Sequence, residues 1–161
     1  MTAANPLPPS AARIQEALTA RGFPYRVLVL ERSARTSAEA AVAVGCTLAQ
    51  IAKSLVFRRA GGGAPVLVIA SGAGRVDEAL VSAALGTPIE KADADYVRTV
   101  TGFAIGGIAP IGHSTPIETL IDRDLLAHTE LWAAAGHPNA LFKLAPDDLV
   151  KMTSGRVVSV R

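Results

Sequence analysis

At 161 residues the chain has the length of a single domain, and with half its residues apolar and 19% charged it excludes intrinsic disorder and supports one real core. Aromatic residues make up only 4%, so that core is built from Val, Leu, Ile and Ala. A net charge of +2 without a dense Lys/Arg run excludes nucleic-acid binding by charge alone, while permitting contact with a polyanion.

Residues 1–9 are Pro-rich and expected to fray, within a single domain spanning 1–161. A helix follows with Ser10 as N-cap, Ile14 and Leu18 on one face and Gly22 as the stop. Tyr25–Leu30 reads as a buried strand. Two capping boxes come next: Thr36-Ser-Ala-Glu39 opens a helix ending at Gly45, and Thr47-Leu-Ala-Gln50 opens a shorter one. The second delivers the chain to Lys53 at the start of a strand, Ser54–Phe57, and Gly61-Gly-Gly63 turns it into Pro65–Ala70 as a hairpin. Val76–Leu85 is an amphipathic helix with acids in its first turn and Gly86 behind it. Ala92–Val100 is a further short helix, stopped by Gly102. Strands are predicted at Ile117–Ile121, Glu130–Ala134 and Ala140–Leu144, then a helix from Pro146 to Gly155 and an edge strand over Arg156–Val160. Hairpins interleaved irregularly with helices predict an α+β fold, a mixed sheet with helices around it.

Three segments could carry chemistry. Lys53 lies in an apolar context, Ile51-Ala-Lys-Ser-Leu-Val-Phe57, where a compact ammonium can hold a hydroxyl, carbonyl or phosphate, or help place a water. A lysine snorkelling from a strand end has the same pattern. Gly102-Phe-Ala-Ile-Gly-Gly-Ile-Ala-Pro-Ile-Gly112 lets backbone approach a ligand and can form an anion-binding nest, or serve as a tight loop between elements. It matches neither phosphate-loop fingerprint. In Gly136-His-Pro-Asn139, His137 and Asn139 sit in a turn between strands, where His137 could move protons or simply complete the turn.

Other side chains point to less. His113 and His128 have no carboxylate or cysteine at ligand spacing, so neither metal nor cofactor is expected. Cys46, the single cysteine, excludes an internal disulfide and fits a small core filler. Ser71 and Ser114 lack a GxSxG elbow. The first residues lack a signal-peptide layout and no apolar run approaches the roughly 20 residues of a membrane span, so a cytoplasmic protein without membrane contact is expected.

Taken in order, Arg35-Thr36 with Ala38-Glu39-Ala40-Ala41, Gln50-Ile-Ala-Lys53-Ser-Leu-Val-Phe57, Thr101-Gly102 with Gly106-Gly107 and Pro110, Ile121-Asp122, and Gly136-His-Pro-Asn139 with Asp148-Leu149 resemble the YbaK/prolyl-tRNA-synthetase-associated domain family from about Ile14 to Val160. The resemblance implies a central, partly barrel-like sheet and hydrolysis of the ester between a wrongly attached amino acid and the 3′ end of tRNA. It implies a free-standing protein acting in trans, with tRNA and possibly a synthetase as partners and no DNA. It assigns the catalytic part to Lys53, as a positioning cation and not a nucleophile. It assigns substrate binding to Ser54, Gly102, Gly106, Gly107, Pro110, His137 and Asn139. Alanine editors of that family often carry Lys-Asn where this chain has Lys53-Ser54, and its cysteine-specific branch has Ser-Pro where this chain has Ala109-Pro110. The close-approach glycines point to a small substrate residue, Ala, Ser, Thr or Cys. The rivals are a non-catalytic module that binds an acceptor end or a synthetase, and a small-molecule or nucleotide-binding protein.

Overall fold

The computed structural model describes residues 6–161. Its elements are α1 (Pro9–Ala20), β1 (Leu28–Val29), α2 (Ser37–Val44), β2 (Ile51–Arg59), β3 (Pro65–Ser71), α3 (Glu78–Leu85), β4 (Ile89–Lys91), α4 (Ala94–Thr101), β5 (Glu118–Asp122), β6 (Leu131–Ala134), β7 (Ala140–Leu144), α5 (Pro146–Thr153) and β8 (Arg156–Val158). Short 3-10 turns occupy Leu48–Gln50 and Arg123–Ala127.

Local chemistry accounts for most boundaries. The Thr36 hydroxyl accepts from the Glu39 N–H at 3.1 Å while Glu39 Oε1 reaches back to the Thr36 N–H, and Gly45 ends α2 in the left-handed conformation. In the second box Gln50 Oε1 accepts from the Thr47 N–H and hydroxyl, but only one 3-10 turn forms before β2 begins. Asp77 and Asp93 accept from Ala79 and Tyr96, so α3 and α4 start at Glu78 and Ala94, two residues later than their patterns predict. At α1 the cap is Pro8, not Ser10, because the fixed φ of Pro9 suits the first helical position. The fraying expected over 1–9 falls partly outside the described residues; of the remainder, Leu7 packs against the core and Pro9 opens α1. The Tyr25–Leu30 run forms a ladder only at Leu28–Val29. Gln15 bonds the Tyr25 C=O and the Val27 N–H with its side-chain amide, taking the place of a partner strand there. Helix α5 ends at Ser154, which adopts φ 54°, one residue before Gly155.

The fold is mixed α/β. The strand order is β1-β7-β6-β2-β3-β5-β8, with β4 also on β2. Antiparallel ladders join β1 to β7, β6 to β7, and β2 to both β3 and β4, while β2–β6, β3–β5 and β5–β8 are parallel. Side chains alternate across the sheet. One face, with Ala52, Val56, Leu67, Ile69 and Ile121, packs under α1, α4 and α5 through Ile14, Leu18, Val97, Leu149 and Met152. Each such buried Leu or Ile contributes about 1.5–3 kcal/mol. The other face carries two smaller clusters. Phe57, Val66, Val68 and Leu120 lie with Val81 of α3, and Ile51 and Leu141 lie with Ala40 and Ala41 of α2. Lys53 shares that face with Ile51 and Phe57, and stands in the strip between the two clusters.

Candidate functional site

The strip opens into a cavity of about 770 Å3 whose lining includes Lys53, Ser54 and Gly106. Its walls are largely apolar, from Ile51, Leu55, Val56, Phe57, Val97 and Ile108. The polar exceptions come from the start of α2 (Arg35, Thr36, Ser37), from the segment after β3 (Arg75, Glu78) and from Lys91.

An interruption in the sheet makes the opening. On the edge of β2 away from β3, Ile51 and Ala52 register with Trp132 and Ala133 of β6, and Phe57 to Arg59 register with Lys91 to Ile89 of β4. The residues between them have no strand partner on that side. The Ile51 C=O accepts from the Gly72 N–H at 2.8 Å and the Arg59 N–H donates to the Ala64 C=O at 3.1 Å, so residues of that parity bond toward β3. Ser54, of the opposite parity, therefore aims its N–H and C=O into the gap. Its hydroxyl is buried and has no hydrogen-bond partner among the described residues.

Lys53 is partly buried, and no carboxylate among the described residues lies within ion-pair distance of it. Burial pushes its ammonium below the usual lysine range, and the positive charges of Arg161 and Arg75 push the same way. Arg161 is held by a separate network. Its guanidinium pairs with the buried Asp122 carboxylate and with Asp124 at 3.3 Å, and donates to the Ala73 C=O. Asp122 also accepts from the N–H groups of Ser71 and Asp124, both at 2.9 Å. That network fixes the segment leading from β3 to Arg75.

The remaining sequence-derived residues stand apart from the cavity lining. Gly102 is the left-handed C-cap of α4, its N–H donating to the Arg98 C=O at 2.8 Å. Gly107 follows Gly106 and presses on the turn behind it: a Cβ there would lie 3.0 Å from the backbone C and N of His137. His137 Nδ1 accepts from the Asn139 N–H at 3.1 Å, so its ring completes the turn, and the Asn139 C=O accepts from Leu30 at 2.8 Å. Pro110 borders a second hollow of about 390 Å3, shared with His113 and Thr119. Burial pushes the His113 imidazole below the usual histidine range, against the opposing effect of its 2.8 Å bond to the Ala109 C=O. Arg75 had no part in the expectations from sequence, and Arg35 entered them only within the Arg35-Thr36 motif of the family resemblance, not as a site residue. The one available signal was that each directly flanks a local motif, the Thr36 capping box or the Gly72-Ala-Gly74 turn. Among the described residues, no group of three His, Cys, Asp or Glu could hold a metal, and no helix is long and apolar enough to cross a membrane.

Residues 31–152 match the family model of the aminoacyl-tRNA editing domain. YwhH of Bacillus subtilis (strain 168) is 30% identical over 131 residues, covering 81% of this chain and 83% of its own. Among solved structures, a candidate trans-editing enzyme for prolyl tRNA synthetase superposes with a TM-score of 0.91 at 44% identity, over 97% of this chain and 99% of its own. The hypothetical protein APE2540 superposes with a TM-score of 0.86 at 30% identity, over 92% and 98% respectively.

Proposed function

Because this chain belongs to the aminoacyl-tRNA editing domain family, we propose that it is a trans-editing deacylase that hydrolyses the ester of a tRNA mischarged with a small amino acid, Ala, Ser, Thr or Cys. The observation that carries this reading is a lysine without a counter-ion among the described residues, set beside an unpaired strand edge in a mostly apolar cavity. The likeness to a candidate trans-editing enzyme for prolyl tRNA synthetase supports action in trans.

The apolar walls receive the amino-acid side chain. Lys53 and the Ser54 N–H offer positive charge and a donor to the ester carbonyl oxygen, where negative charge develops. An aminoacyl ester is already activated, so positioning and charge stabilisation suffice without a serine or cysteine nucleophile. In the net reaction a water oxygen adds to the carbonyl carbon, the bond from that carbon to the ribose oxygen breaks, and the ribose oxygen takes a proton. The whole chain serves as one editing domain, in the cytoplasm where charged tRNA is used, with tRNA as substrate and a synthetase as the source of the error. Gly106 and Ser54 shape the substrate space directly. Gly102, Gly107, Pro110, His137 and Asn139 act behind it, by holding the loop that carries Gly106.

The test is a deacylation panel with tRNAs charged with Ala, Ser, Thr, Cys and Pro, comparing wild type with Lys53→Ala. Hydrolysis of one or more small-residue esters, lost in the variant, is the expected result. No hydrolysis above background removes the enzyme reading in favour of a non-catalytic binding module. An equally active Lys53→Ala protein removes the site assignment.

A further inference from the structure

We propose that Arg35 and Arg75, which line the same cavity as Lys53, form a subsite for the last phosphodiester of the RNA acceptor strand. This rests on the deacylase reading for its choice of anion and on the geometry for the site itself.

Charge distribution is the first ground. The chain holds 16 basic and 14 acidic residues, yet four cations (Arg35, Lys53, Arg75 and Lys91) and one acid, Glu78, line the cavity. An even sampling of the chain would have supplied nearly equal numbers. Among the described residues two arginines pair with acids, Arg59 with Glu118, and Arg161 with Asp122 and Asp124. None of the four cavity cations has such a pair among the described residues. Arg75 is close enough to Lys53 for its charge to disfavour the ammonium. Like charges held together without counter-ions repel, and an anion placed among them relieves the repulsion.

The chain beside each arginine is closely packed. Arg35 lies across Gly106, where a Cβ would meet its Cγ at 2.4 Å, so only glycine leaves that path open. The Arg75 segment is fixed through Gly72, where a Cβ would lie 2.6 Å from the Leu48 C=O oxygen, and through Arg161 bonding the Ala73 C=O.

Substrate chemistry then chooses the anion. The amino acid of an aminoacyl ester carries a free ammonium, which a cluster of cations repels. The nearest negative group to that ester is the phosphodiester one ribose away. A guanidinium offers phosphate a planar pair of donors, which suits Arg35 and Arg75 to this role.

The experiment needs no catalysis. An uncharged acceptor-stem hairpin ending in CCA is compared with the same RNA carrying a neutral methylphosphonate at its last linkage, by fluorescence anisotropy, on wild type, Arg75→Gln and Arg35→Gln. For wild type the neutral linkage is expected to weaken binding roughly ten- to a hundredfold, the worth of a charged hydrogen bond. In either variant that penalty shrinks to near nothing, and the slope of log K against log salt falls by about 0.7. Arg75→Lys keeps the charge and regains part of the affinity, and unchanged melting of all variants shows that they fold. A methylphosphonate penalty as large in the variants as in wild type overturns the proposal. So does inorganic phosphate competing as tightly as the RNA, which would assign the site to a free anion. If the binding pattern holds while no ester is hydrolysed, the deacylase reading fails and the phosphate subsite stands. If esters are hydrolysed while the arginine variants bind normally, the subsite alone fails.

Discussion

Replacing Gly107 with alanine sets a methyl group 3.0 Å from the backbone C and N of His137 and 3.1 Å from its Cα. That backbone has little freedom to retreat. The His137 C=O accepts from Ala140 at 3.0 Å, and the next two residues hold Ala34 and Leu30 through 2.8 Å bonds. Overpacking against a fixed neighbour costs about 1–3 kcal/mol. At about 2–4 °C per kcal/mol for a chain of this size, the expected fall in Tm is roughly 2–12 °C. Gly106→Ala meets different resistance. It requires a side chain at φ 95°, and its methyl meets the flexible Arg35 chain at 2.4 Å. The left-handed strain costs about 1–2 kcal/mol, while Arg35 swings away. Urea denaturation read beside RNA affinity separates the two: Gly107→Ala loses mainly stability, and Gly106→Ala also loses affinity by displacing Arg35. A Gly107→Ala protein within about 0.5 kcal/mol of wild type would refute the argument that the loop is braced against the turn.

Two further outcomes are expected. Lys53 should titrate below the ordinary lysine value, and Arg75→Ala should move it upward, followed by NMR of isotopically methylated lysines. Because the native state releases this proton more readily than the unfolded chain, the Lys53 contribution to stability rises with pH between its lowered native pKa and the ordinary lysine value of the unfolded chain. A Lys53 resonance that titrates at or above that value in the native protein contradicts the assignment. Asp122→Ala should cost about 2–4 kcal/mol by chemical denaturation, less than the roughly 3–5 kcal/mol of a fully buried pair, since Arg161 keeps 25% of its side chain exposed. Asp122→Asn, which retains an acceptor for Ser71, should recover part of the loss, and an unchanged midpoint for the alanine variant removes the network from the stability account.

The elements that could be read from sequence are those whose cause is local. The Thr36–Glu39 box, the Gly61–Gly63 hairpin and the Gly102 stop each depend on a few consecutive residues, and each occurs where its pattern lies. Strand β4 has three residues and no alternation to announce it; it exists because Phe57–Arg59 of β2 have a free edge to pair. Tyr25–Val27 has the composition of a strand, but the Gln15 amide satisfies its backbone, and nothing in the run itself signals that. The site divides in the same way. Lys53 and Gly106 stand out because their residue types are unusual in their settings. Arg35 and Arg75 are 40 residues apart and line one cavity only because the start of α2 and the segment after β3 both border it.

A strand in a sheet usually has both edges occupied, and β2 has one edge fully committed and the other divided between two short partners. The consequence is a separation of labour that bears on how such a cavity diversifies. The β2–β3–β5 frame can stay constant, because it carries the paired backbone and the fully buried Leu67, Ile69, Leu120 and Ile121. The width of the opening is set by where β6 and β4 end, at Ala134 and Lys91. Lengthening either partner by one residue would narrow the window over Ser54 without altering a contact in the frame. The width of the cavity can thus drift through two peripheral ends of chain, while Lys53 remains on the strand that belongs to the frame.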